Sequence, residues 1–437
     1  MGSEATVASE VRQTEPEALA NLTAVLQLCA AGKLRCSEKT HRPSAATVRS
    51  IADVLVAGDF YPDEPIASFA WPLLLQAGAL ARLDGTRLAL TPKGRKALGQ
   101  PAHEVIRGLW ERWPRHAPLD ELSRVEQIKG QRSAAALTAA GPRRHAVAAA
   151  LGLCPREEWI GVDELFVKMR SAGASPTIAR SERGLWRLYL GDPEYGSLGY
   201  DGHHDWAILE GRYTLAILFE YAATLGLLDV DYVAPAHARD DFRHMWGADW
   251  IDALSRYDGL LAVRRTALGS YAAGLSTSYV PAPPAAVSRT LQVLANFDIV
   301  ATDLTQTDRI VLEAFATRTS DHVWALTTAS LMAAVDAGRS PGELTAFLDE
   351  RAVHGIPSTV RGLLADVEGR AGQVRDLGLL RVIECADPAV AALLSRDRTL
   401  RGLSSRVGDR HLVLDPTSEP KARAALRKLG YPIGPTT

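Results

Sequence analysis

The sequence predicts an α+β fold that is mainly helical: two helical units, each closed by a pair of strands, followed by a small C-terminal α/β module. Three observations carry this reading. Between residues 17 and 275 the apolar positions recur mostly at helical spacing. Twice that pattern ends in two short strand-like runs followed by Thr-x-x-Gly, at Thr91 and again at Thr266. Beyond the proline-rich Val280-Pro-Ala-Pro-Pro284, short strands and capped helices alternate up to Ile433.

The bulk properties narrow the function classes. At 437 residues, with 47% hydrophobic and 23% charged residues, the chain has the make-up of a globular protein of several domains. A net charge of -2 excludes a protein held on nucleic acid by overall attraction, so any such contact must come from local patches. Cys29, Cys36, Cys154 and Cys385 are scattered without paired spacing, which points to neither a disulfide frame nor a zinc site and fits the cytoplasm. Residues 1–16 are polar and acidic and read as a disordered tail, not a secretory signal. Met1-Gly-Ser-Glu-Ala-Thr6 fits the loose myristoylation pattern, but no basic residues stand nearby to supply a second anchor. No membrane span is expected, because Glu220 interrupts the best apolar run, Tyr213–Val230.

Residues 17–100 form the first unit. Glu17–Ala31 carries Leu19, Leu22, Val25 and Leu26 near one face, Ser44 caps a second helix with Val48 and Ile51, and a third covers Ile66 to Ala77. Gly78–Leu83 and Thr86–Leu90 then flank Asp84-Gly85, a strong hairpin signal. Three helices followed by a hairpin is the layout of a winged helix, and Gly78-x-Leu80 with Leu90-Thr-Pro-x-Gly94 resembles the wing ending of that family. Such domains dock DNA through the third helix. Here Ala67-Ser-Phe-Ala-Trp-Pro-Leu-Leu-Leu-Gln76 lacks lysine and arginine, so core or a protein interface is the expected role. The wing differs. Arg82, Arg87, Lys93, Arg95 and Lys96 face one acid, Asp84, and can neutralise phosphates without reading bases; a solvated hairpin tip is the plainer alternative.

Residues 101–150 read as an alanine-rich helical connector. Trp110 and Trp113 lie three apart and are expected to pack, and Arg143-Arg144 at a helix start is a candidate anion contact. Residues 151–279 repeat the first layout with insertions: helices Val162–Arg170 and Ser181–Leu190, a longer one capped by Asp205, and wing strands Leu227–Val233 and Leu260–Arg265. Arg264 and Arg265 join the DNA-contacting candidates. The helix before this wing, Tyr213–Thr224, is again apolar.

After a linker at 280–287, residues 288–437 form the last module. Its clearest helix start is Ser340-Pro-Gly-Glu343, a capping box with proline at the first helical position. The spacing of Leu326-Thr-Thr-Ala-Ser-Leu331, Ala337-Gly338, Glu343–Leu348, Ile356-Pro-Ser-Thr-Val360 and Leu426–Pro432 resembles the helicase-associated domain at the N-terminus of bacterial and archaeal homologues of the xeroderma pigmentosum group B helicase. Winged helices followed by such a module are similar to the TFIIH subunit that contacts that helicase. The resemblance implies a protein- and DNA-contacting accessory that is not itself an ATPase.

The motifs of catalysis are absent. No G-x-x-x-x-G-K-[ST] phosphate loop and no G-x-S-x-G elbow occurs, and His203-His204-Asp205 lacks a second ligand cluster of matched spacing, so neither metal nor cofactor is expected. These readings combine into a non-catalytic scaffold that touches DNA weakly through basic wings and docks a helicase or translocase through its C-terminal module. The alternatives are a sequence-specific winged-helix regulator, which would need base-reading third helices, and an enzyme with a polar pocket around His203, His204 and Asp205.

Overall fold

The computed structural model describes residues 9–132, 136–281, 289–371, 373–374 and 377–433. The myristoylation pattern and most of the proline-rich linker lie outside them. The protein is α+β with several small antiparallel sheets, and it divides into two compact units, Met1–Val367 and Glu368–Thr437.

The first unit begins with helices Thr14–Ala30, Ala45–Ala52 and Ala67–Ala77 and the hairpin Ala81–Asp84/Arg87–Leu90. Ser44 caps the second helix by accepting the Thr47 N–H at 3.2 Å. The third is capped from further away. The Asp59 carboxylate accepts the N–H groups of Ile66, Ala67 and Ser68 at 3.0, 2.9 and 2.9 Å, a contact with no sequence spacing to announce it. Gly85 takes φ +56° in the Asp-Gly turn, where a side chain would be strained.

The same order then returns. Helix Ala140–Ala150, strand Ile160–Gly161, helix Val162–Ser171 and a long helix over 207–223 lead into strands Leu228–Tyr232 and Leu260–Arg265. The ends of the two strand pairs match in detail. Thr91 Oγ1 accepts the Gly94 N–H at 3.0 Å and donates to the Ala79 carbonyl; Thr266 Oγ1 accepts the Gly269 N–H at 2.8 Å and donates to the Gly226 carbonyl. Both glycines are required by close approach, since a Cβ would stand 1.9 Å from the Leu80 oxygen at Gly94 and 2.1 Å from the Leu227 oxygen at Gly269.

Two expectations change here. Residues 10–16 are not a tail: Glu10–Arg12 pairs with Leu228–Tyr232 as the edge of a four-stranded sheet, and Arg12 is buried against Glu17 and the Phe60 ring. The stretch Ser181–Leu190 is helical only over Glu182–Leu185. Tyr189–Leu190 instead pairs with Ile128–Lys129, where partners across a strand satisfy the backbone that a continued helix would otherwise hold.

Side chains from Ala18 to Ala272 make one continuous core. Its centre is the contact between the two third helices, Ala67–Ala77 and the 217–223 turns of the long helix, both buried along nearly their whole length. The connector helix Ala102–His116 seals them, with Trp113 stacked on Trp110 at 5.2 Å and packed on Tyr221 at 5.0 Å.

The stretch expected as a single module has two cores. The first joins Leu291 through Val367 around a four-stranded sheet in the order Thr317–Ser320, Val323–Ala325, Asp298–Ala301, Leu291–Val293. Ser340 caps its helix through the Gly342 N–H, but Glu343 turns away from the expected box to hold Arg339 at 2.6 Å and Gln27 at 2.8 Å. The reciprocal capping box forms at Thr327 and Ser330 instead. The second core lies in Glu368–Thr437, where strands Arg381–Glu384, His411–Leu414 and Ser404–Val407 pair and Leu412 and Leu414 pack with Leu394 and Leu426.

Candidate nucleic-acid interface

The hairpin Ala81–Leu90 and the short helix Pro92–Ala97 bring Arg82, Arg87, Lys93, Arg95 and Lys96 together at the surface. Strand alternation turns Leu88 and Leu90 inward, and their exposed neighbours face out. None of the five cations forms an ion pair among the described residues. Arg87 lies across Gly32, whose Cβ would stand 2.2 Å from the guanidinium. Lys93 Nζ donates to the Gly78 carbonyl at 3.0 Å and Arg95 Nη1 to the Leu90 carbonyl at 3.0 Å, contacts that anchor the head groups on neutral oxygens and leave their charges uncancelled. Partial burial, then the charge of Arg112, lowers the Lys93 pKa. Asp84 sits opposite Arg87 at the tip.

Arg112 is a cation that the sequence pattern did not single out. It lies on helix Ala102–His116, one turn beyond Gly108 and off the buried stripe of Val105, Leu109 and Trp113. A groove of about 210 Å³ opens beside it, with Lys93, Glu104 and Gly108 in its walls.

The second strand pair, Leu228–Tyr232 with Leu260–Arg265, is chemically different. Arg264 bonds Asp229 at 2.8 Å across the strand pair and covers the Trp159 ring, because the register sets Asp229 opposite it. Arg265 donates to the Leu151 carbonyl at 3.1 Å, just past helix Ala140–Ala150, where the helix dipole favours a cation. Both side chains are therefore held by internal partners, unlike the exposed set of the first hairpin.

Arg143 and Arg144 also turn inward. Arg143 bonds Asp120 at 2.5 Å, and Arg144 clasps both oxygens of the fully buried Glu121 at 2.8 and 2.9 Å. Burial nevertheless pushes the Glu121 carboxyl up to about 7, against the pull of Arg144. His203 Nδ1 lies 3.0 Å from the Ser197 carbonyl, while His204 Nε2 contacts Glu210 at 3.2 Å, so the adjacent histidines engage different partners.

The four-stranded sheet of the 291–367 core has two outer strands. Leu291–Val293 is an outer strand, but Val353 donates to the Leu291 carbonyl at 2.9 Å and Ala352 bridges Leu291 in parallel. The open edge is Thr317–Ser320, which is exposed throughout and carries a register shift between Arg318 and Ser320, the kind of irregularity that blunts edge pairing. No helix among the described residues is long and apolar enough to cross a membrane.

No curated protein matches the chain. Residues 291–409, from the Leu291 strand to just past the Ser404–Val407 strand, match the family described as helicase conserved C-terminal domain.

Proposed function

We propose that the chain is a non-catalytic accessory of a helicase or translocase, contacting the DNA backbone through its first wing and docking the motor through its C-terminal stretch. The helicase family match at 291–409, in 437 residues without a phosphate loop, carries this reading. The spacing likeness to the group B helicase N-terminal domain supports the docking role. Arg82, Arg87 and Lys96 have exposed, uncancelled charges, which suits phosphate contact, and Lys93 and Arg95 flank them. Two winged helices packed through their third helices fit the order of elements. In that arrangement the helix that usually enters the major groove is unavailable, so contact is indifferent to sequence. Arg264 and Arg265 have a structural role in this reading.

The test is fluorescence anisotropy on a labelled duplex over a salt series. With three to five phosphates engaged, log K should fall against log salt with a slope of about -2.7 to -4.5, at roughly -0.9 per phosphate. R82E/R87E/K96E should weaken binding by about tenfold or more while Tm holds, and R264Q should leave binding unchanged. Unaltered affinity in the triple variant refutes the wing. A preference of about 1000-fold for one sequence restores the regulator, and DNA-stimulated ATP hydrolysis by the purified chain refutes the non-catalytic role.

A further inference from the structure

The second helical unit carries a surface that neither its fold nor DNA contact explains. Trp250 is 92% exposed, Trp246 67% and Tyr195 52%, among the most exposed large side chains of the protein. They belong to two loops that pack together: a Cβ at Gly191 would meet the Gly247 carbonyl at 2.8 Å, and His244 Nε2 lies 3.0 Å from the Gly202 carbonyl. Tyr195 and Trp246 stand 5.8 Å apart at a tilt of 53°. Trp250 follows across two turns, closed by Ala248 N–H to the Met245 carbonyl and Ile251 N–H to the Ala248 carbonyl. On the other side Tyr200 donates to the Glu194 carbonyl at 3.0 Å and meets Trp186 edge-on at 4.8 Å. The result is an interrupted row of aromatic rings, the pairs Tyr195/Trp246 and Trp186/Tyr200 with Trp250 two turns beyond Trp246.

The row is set in negative charge. Glu194, Asp201 and Asp249 are exposed and form no ion pair among the described residues, and Asp192 caps the Glu194 and Tyr195 N–H groups. No lysine occurs between residues 188 and 252. Each arginine there is already held by aspartate: Arg212 by Asp241 and Asp258, Arg239 by Asp163, Arg243 by Asp240. Arg183 and Arg187 neighbour Trp186 in sequence and bound the acidic stretch at that end.

We propose that this surface docks an extended basic segment of a partner protein, one bearing arginine or lysine. Exposed tryptophan and tyrosine are the side chains that dominate interface energetics, and their faces attract cations. Unpaired acids beside them supply the complementary charge. That sign disfavours a nucleic-acid strand, which would bring phosphates against Glu194, Asp201 and Asp249. It equally disfavours a second copy, which would face acid with acid. The proposal goes beyond the DNA and helicase reading and does not depend on it.

A fluorescein-labelled peptide of alternating arginine and proline serves as probe, titrated with the full chain. The proline rings suit an aromatic row and hold the peptide extended. The expected result is saturable binding that the glutamate-for-arginine peptide does not show. W246S/W250S should weaken it about tenfold or more, with Tm and duplex affinity unchanged because both rings are exposed. E194Q/D249N, which leaves the rings in place, should weaken it about threefold and flatten its salt dependence. Equal binding by wild type and W246S/W250S overturns the proposal, as does no binding at all. It is also overturned if labelled oligothymidylate is the ligand lost in that variant, or if the variant converts a wild-type dimer to monomer.

Discussion

Glu220→Gln tests whether the two helical units are tied through a buried charge. Glu220 lies on the long helix of the second unit with no exposed surface. Its Oε2 accepts Arg124 Nε at 2.9 Å and Nη2 at 2.8 Å, and Tyr257 donates to the same oxygen. Arg124 comes from the connector, donates to the Pro65 carbonyl at 3.2 Å and lies 3.7 Å over the Phe69 ring of the first unit. Removing one partner of a buried pair costs about 3–5 kcal/mol, because the other charge stays buried and uncompensated. Glutamine keeps one acceptor, and the Phe69 face retains roughly 1–2 kcal/mol of cation–π attraction, so a loss at or somewhat below the bottom of that range, about 2–3 kcal/mol, is expected. At about 2–4 °C per kcal/mol for a large domain, Tm should fall by roughly 5–10 °C. The assay is urea unfolding followed by tryptophan fluorescence, with Tm by calorimetry. R124M/E220L is the companion, since it removes both charges and keeps the volume. It should recover to within about 1 kcal/mol of wild type or exceed it. An E220Q variant within about 0.5 kcal/mol of wild type refutes the reasoning, and so does a double variant as unstable as E220Q.

Glu121 sets a pH dependence whose sign can be worked out. Its folded carboxyl is raised by burial to about 7 from 4.5, so between those values the folded state holds a proton that the unfolded chain has lost. This group's contribution to stability is therefore greatest below pH 4.5, declines as pH rises towards 7 and is level above it. The full swing is about 3 kcal/mol at 1.36 kcal/mol per unit, and E121Q should remove it from the slope of urea midpoints against pH; an unchanged slope contradicts the assignment. Gly94→Ala and Gly269→Ala should each lose about 1–3 kcal/mol, since both drive a Cβ into a backbone oxygen. Gly362→Ala, on an exposed helix face with open space around it, should gain up to about 1 kcal/mol by the same denaturation assay. Similar losses at positions 94 and 269 are the signature of one motif used twice, and a tolerated change at either breaks the parallel.

What the sequence by itself determined is local. The Ser44 cap, the Asp84-Gly85 turn and the Thr-x-x-Gly motifs at Thr91 and Thr266 were legible because each is closed by atoms within a few residues. The lack of charge on Ala67–Ala77 already pointed to burial, as helical period and side-chain polarity report together on an environment. The fates of individual charges were not legible. Arg82 and Arg264 look alike in the chain, yet Arg264 meets Asp229 and Arg82 meets no acid, which strand register alone decides. Glu343 fits a capping box by spacing and is drawn off by Gln27 and Arg339, one of them more than three hundred residues away. Long-range pairing likewise turned residues 10–12 into an edge strand, split the last 150 residues between two cores and brought Tyr195 beside Trp246. Backbone hydrogen bonding repeats at fixed intervals and leaves a period in the sequence. Contacts between distant side chains have no interval, and only the packed chain decides them.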